Sequence, residues 1–326
     1  MILAYATGLQ QLIEREYNIA QGSLGSHTLY THESAKMLSG GTQSEEAVLR
    51  FPPRTTFGFS TNYAQNRNGS WANGDRLIEI RDDNDNVLFM IDGDTAESLN
   101  FYEYVTSSSP TKFLDYTPAT GSVERMDFDV KIDAVSGYFR VYFNNSLIHE
   151  VTGDTTRSGT FGTVSRVFFG GVDDNDWTYH SGMFVTDGES TLDITMVQHE
   201  IQSAGRFAEM TGDYGDLISV GTLNDSAAVI STAANQTMTA VIDGLPDEFL
   251  GYEIVAVGVD VRASADSGGS YPLALVIDDG TNVLESASIS GKGYFTTAQA
   301  LFTTAPDGSA WDATKLANTD IGVRSK

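Results

Sequence analysis

The feature that most constrains this chain is a repeated rhythm of short alternating segments broken by turn residues. MDFDVKID (126–133) alternates Met126, Phe128, Val130 and Ile132 against Asp127, Asp129 and Lys131. After the turn AVSG comes GYFRVYF, then NNS, then LIHEV, with Asn144–Asn145 as a two-residue hairpin turn. A period of two puts successive side chains on opposite faces, so each segment is half apolar. Such strands bury their apolar halves by stacking two antiparallel sheets face to face.

The same rhythm recurs along the chain. RLIEIR (76–81) and VLFMID (87–92) flank DDNDN, a cluster of turn formers, and read as a hairpin. SRVFFGG (165–171) and SGMFVTD (181–187) read as another pair connected by DDNDW (173–177). The rhythm stops around 196–215 (MVQHEIQSAGRFAEMTGDYG), which puts a boundary near 200. Beyond it, EIVAVGVDVRAS (253–264) sets Val255, Val257, Val259 and Val261 on one face. LALVIDD, the turn DGTN and VLESASIS form the next hairpin, and YFTTAQALFTT (294–304) is a further strand. WDATKLAN (311–318) suits one short helical turn before the terminal strand IGVRS, with Trp311 as core packing. GLQQLIEREY (8–17) is the one helical-looking stretch near the start. The expected architecture is therefore all-β: two β-sandwich, jelly-roll-like domains, 1–200 and a smaller 201–326, with 1–25 as a docking arm.

Composition narrows the function classes. At 326 residues and 40% hydrophobic content the chain can bury two cores. Its net charge of −25, with no basic stripe, repels nucleic-acid phosphates. There is no cysteine, which removes disulfides and thiolate metal sites and suits folding in a reducing cytoplasm. The start has no basic flank and does not read as a signal peptide, and no segment is apolar for the ~18 residues of a membrane span.

DFDVKIDAVSGYFRVYFNNSLIHEVTG followed by VSRVFFGGVDDNDWTYHSGMFVTDG resembles the laminin-G/concanavalin A-like jelly rolls. LPDEFLGYEIVAVGVDVRASADSGG, the DGTN hairpin and LFTTAPDGSAWDATKLANTDIGVRS resemble the second half of a group of tailed-bacteriophage virion proteins. The resemblance implies a structural virion component, folded and assembled in the host cytoplasm. It further implies contacts with other capsid, collar or tail proteins, and a homo-oligomer. It names no active site.

The residues themselves offer limited chemistry. An EF-hand loop needs Gly at its sixth place and Glu at its twelfth. Counting from Asp82 those places hold Val87 and Gly93, and from Asp173 they hold Thr178 and Phe184. Neither is an EF-hand. A loosely bound calcium on loop Asp and Asn oxygens stays open, and no other cofactor is expected. RDDNDN (81–86) reads as a plain turn. Glucanases on this type of scaffold pair carboxylates across a cleft. Here Asp127 and Asp129 share a strand face with Lys131, which reads as a charged solvent face. The histidines (His27, His32, His149, His180 and His199) have no zinc spacing. GGTQSEE lacks the Lys of a phosphate cradle, and no nucleophile elbow appears.

No enzyme is expected. The aromatic loops are the functional lead: Trp177 and Tyr179 beside Asp173, Asp174, Asn175 and Asp176, and TNYAQNRNGSWANG with Asn62, Tyr63, Asn66, Arg67, Asn68 and Trp71. Such groups suit either stacking on a sugar, as in a host-glycan adhesin on a fibre or spike, or packing on a neighbouring subunit.

Overall fold

The computed structural model describes residues 1–8, 47–66, 75–93, 98–106, 109–117, 122–169, 177–197, 199–217, 228–264, 272–290 and 296–326. They fall into two compact units, Met1–Val197 and Gln198–Lys326. Both are built almost entirely of strands.

Unit 1 contains β1 (Ile2–Gly8), β2 (Ala47–Arg54), β3 (Thr56–Asn66), β4 (Asp75–Asp82), β5 (Val87–Gly93), β6 (Leu99–Thr106), β7 (Ser109–Tyr116), β8 (Val123–Lys131), β9 (Gly137–Phe143), β10 (Ser146–Gly153), β11 (Val164–Phe169) and β12 (Trp177–Thr186). They form two six-stranded antiparallel sheets, ordered β1-β12-β3-β8-β9-β10 and β2-β11-β4-β5-β6-β7. The inward residues are those the alternation marks: Met126, Phe128 and Val130 on β8, and Phe139, Val141 and Phe143 on β9. They meet Ile78, Ile80, Phe89, Ile91 and Phe101 of the opposite sheet in one β-sandwich core. The Phe89 ring contacts Phe128 edge-on at 5.0 Å across that core.

Turn chemistry sets the hairpins. Asn144 and Asn145 have φ of 47° and 62°, as a type I′ turn between β9 and β10 requires. Asp133 closes the preceding turn by accepting from the backbone N–H of Val135 (2.9 Å) and Ser136 (2.7 Å).

Two expectations for this unit are corrected. SRVFFGG and SGMFVTD do not pair: β11 lies between β2 and β4, whereas β12 lies between β1 and β3 in the other sheet. The connection crosses from sheet to sheet. Both strands carry consecutive buried residues, Val167–Phe169 on β11 and His180–Thr186 on β12, and a run of that kind does not separate a hairpin from a crossover. The start of the supposed docking arm is an edge strand, since β1 pairs with β12 from Ile2↔Thr186 to Gly8↔Ser181. Residues 9–25, including most of GLQQLIEREY, lie outside the described residues.

Unit 2 contains β13 (Ile201–Ala208), β14 (Thr237–Ile242), β15 (Val257–Ala263), β16 (Pro272–Asp278), β17 (Val283–Glu285), β18 (Ile289–Ser290), β19 (Thr296–Phe302), helix α1 (Ala313–Ala317) and β20 (Asp320–Ser325). One sheet runs β13-β14-β20-β16-β17 with β18 also on β16, and β15 pairs with β19 in a separate ribbon. Val259, Leu275, Ile277 and Phe302 form its core with Trp311, whose indole N–H donates to the Phe302 carbonyl at 2.9 Å. Asp312 caps α1 by accepting from the Lys315 N–H. The valine strand begins at Val257; Val255 lies before it and is exposed.

Candidate functional site

The described ends of the two stretches singled out for their aromatics lie on neighbouring strands. β3 and β12 pair antiparallel with Trp177 opposite Asn66, Tyr179 opposite Ala64 and His180 opposite Tyr63. Asn66 and Trp177 are thus the last pair at one end of this ladder. Asp173, Asp174, Asn175, Asp176, Arg67, Asn68 and Trp71 lie outside the described residues.

Tyr63 is not a surface contact. It is 1% exposed and belongs to the core of unit 1. It falls in step with Phe57 and Phe59 on the inward face of β3 and packs on the His180 ring, centroids 5.4 Å apart. His180 is itself fully buried, with Phe169 5.0 Å away on another side and the Thr61 hydroxyl at 3.5 Å from Nδ1. Burial among aromatic rings pushes its pKa down to about 3, so the imidazole is neutral.

The acidic turn at 82–86 is structural. Asp82 is 0% exposed, and its carboxylate accepts four N–H donors. These are the backbone N–H of Asn84 (2.9 Å), Asn86 (2.8 Å) and Gly162 (3.2 Å), and the Asn86 side-chain amide (3.0 Å). Thr163 and Ser165 hydroxyls donate to Asp83, and Arg166 pairs with Asp85 at 2.9 Å. The turn thus holds the 160–166 segment to the β4–β5 hairpin, and its oxygens are already engaged. Among the described residues no group of three or more His, Asp or Glu side chains is arranged to hold a metal ion.

The carboxylates of β8 are not on an open solvent face. Asp127 is 0% exposed and accepts from Arg125 (Nη2 at 2.8 Å) and from the Thr191 hydroxyl at 2.7 Å. The segment after β12 is what covers it. A Cβ placed on Gly58 would lie 2.7 Å from the Glu189 carbonyl and 2.9 Å from the Thr191 methyl, so glycine permits that close passage. Arg54 fastens the same segment through Asp187 at 2.7 Å. Beside it, desolvation raises the Asp129 pKa, against the opposing pull of Arg140. Alternation identified the outward face of β8 correctly but could not reveal a cover supplied some sixty residues later.

Farther along the same sheet, Arg140 lies over the Tyr138 ring at 4.5 Å and pairs with Glu150 at 2.6 Å. Between the sheets, a cavity of about 30 Å³ is lined by Leu88, Val130, Ile132 and Phe139, with Glu103 and Arg157 among its polar neighbours. That is water-sized, far below the ~300 Å³ of a ligand pocket. His149 closes the region by stacking on Phe113 at 3.7 Å and bonding Glu103 at 3.2 Å.

No protein-family model matches the chain, and no curated protein matches it. Solved structures similar to it include a sialidase at 12% identity, covering 58% of this chain with a TM-score of 0.34. This chain spans 19% of that sialidase chain. Alginate lyase Aly36B is similar at 9% identity over 51% of this chain and 93% of its own, with a TM-score of 0.37. The carbohydrate-binding module CBM66 from Bacillus subtilis is similar at 9% identity over 48% of this chain and 97% of its own, with a TM-score of 0.31.

Proposed function

We propose that the chain is a non-enzymatic structural subunit of a tailed-bacteriophage virion, placed as a decoration, collar or tail-associated protein and acting through protein–protein contacts. The virion assignment rests on the sequence resemblance, carried in unit 2 by residues 245–269, the 279–282 turn and residues 301–325. One structural observation supports the non-enzymatic part: one of the two carboxylates on β8, Asp127, is closed off. Two-carboxylate glycosidase chemistry needs both groups open to one cleft. Here Asp127 is fully buried under the segment that follows β12 and is already bonded to Arg125 and Thr191. Imaging purified particles by cryo-electron microscopy tests the reading. Density for both units on the particle is the expected result, and a protein found free in uninfected cells would refute it.

A second reading, a host-glycan adhesin, is favoured by the register of β3 and β12, which sets Trp177 opposite Asn66 and Tyr179 opposite Ala64. A glycan array with and without EDTA separates the two readings. Binding that disappears in Trp177→Ala supports the adhesin. An array silent in both conditions, with Trp177→Ala impaired in assembly, supports a subunit contact.

A further inference from the structure

We infer that the 247–255 loop of unit 2 is a docking surface for a protein partner presenting an apolar centre and a basic rim. The inference deepens the contact role proposed above and rests on it. Among the described residues nine large apolar side chains are exposed, and three of them fall within six positions: Leu250 (55%), Tyr252 (68%) and Val255 (42%). Scattered exposed apolar residues are ordinary; a local concentration marks an interaction site.

The loop is held in shape. Leu245 and Ile254, at its two ends, pack against the unit 2 core. Between them, Phe249 N–H donates to the Pro246 carbonyl (2.9 Å), Leu250 N–H to Asp247 (3.2 Å) and Tyr252 N–H to Phe249 (3.1 Å). The half-buried Phe249 ring meets Tyr252 edge-on at 5.9 Å and braces it. An exposed tyrosine already fixed in place loses little freedom on binding, which is the property of an interface anchor.

The rim indicates the partner's charge. Asp247, Glu248 and Glu253, neighbours of the three apolar residues in sequence, are exposed as well. The whole stretch 207–261 carries nine Asp and Glu residues and no Lys or Arg. A second copy would bring the same acidic rim against itself, on a chain of net charge −25. A basic partner is steered in and a like-charged one is opposed.

The test uses the full-length protein and an amphipathic Leu/Lys peptide as probe, with poly-L-lysine as a purely cationic control. Leu250→Ser combined with Tyr252→Ser should weaken peptide binding by at least about tenfold, with poly-L-lysine binding and the melting temperature unchanged. Glu248→Gln with Glu253→Gln should weaken the peptide and flatten its salt dependence. Equal peptide affinity in wild type and L250S/Y252S would overturn the inference. So would an equal loss of poly-L-lysine binding, or self-association of the wild type that the variant abolishes. Because the assay uses isolated protein, its outcome is separate from whether the chain is found in particles.

Discussion

Acidification should weaken unit 1 through His180, and the size of the effect follows from burial. The folded state excludes a proton from this imidazole until about pH 3, whereas an ordinary histidine in the unfolded chain takes one up near pH 6.5. The folded pKa is depressed, so the unfolded state binds more protons between these values. Stability is then fully present above pH 6.5 and falls as pH drops toward 3. The slope reaches about 1.4 kcal/mol per pH unit, which integrates to roughly 2.3 kcal/mol between pH 6.5 and 4.5. His180→Leu removes the titrating group while keeping an apolar side chain between Tyr63 and Phe169. The His180 Nε2 atom has no hydrogen-bond partner to lose, so the variant should stay within about 1.5 kcal/mol of wild type at neutral pH. Urea melts of the full-length wild type and variant at the two pH values give the comparison. Carboxylates that titrate on acidification are common to both proteins and cancel in the difference. If wild type and His180→Leu lose stability in parallel, the imidazole is not the acid-sensitive element.

Other substitutions probe separate features. Asp82→Ala leaves three partly buried backbone N–H groups without their acceptor and should cost about 2–3 kcal/mol, read as a lowered urea midpoint that added calcium does not restore. Asn145→Val forces a β-branched residue to a φ of 62°. It should cost about 1–2 kcal/mol, whereas Asn145→Gly should leave the thermal midpoint unchanged or raised. Trp311→Ala should cost about 3–5 kcal/mol in unit 2 while leaving the unit 1 transition in a calorimetric scan in place.

Much of the fold was legible because its signals are local. The Asp82 and Asp279 turns depend on side chains bonding backbone within a few residues, the Asn144–Asn145 turn on two residues that take positive φ, and each stands where the turn formers lie. What was not legible is long-range. The pairing of β11 and β12 depends on strands that neither touches in sequence, and the burial of Asp127 depends on Thr191, 64 positions away. Tyr63 is a different case. Its odd-numbered step with Phe57 and Phe59 was present in the sequence, but the surrounding Asn and Gln gave the stretch the look of a loop. The strand β3 runs on through those polar residues to Asn66. For the candidate stretches, the residue types pointed to each one, while the β3–β12 register sets their described ends, Asn66 and Trp177, opposite each other.

The way the chain leaves unit 1 also has a mechanical consequence. β12 is an inner strand, flanked by β1 and β3, and its continuation is fastened across the outer face at Arg54, Gly58 and Asp127. Tension applied to the chain beyond residue 197 would meet the bonds at Arg54 and Asp127 before it reached β12 itself. The glycine that lets the chain pass so close, and the carboxylate hidden beneath it, make the exit from the sandwich a strain relief for whatever is tethered downstream.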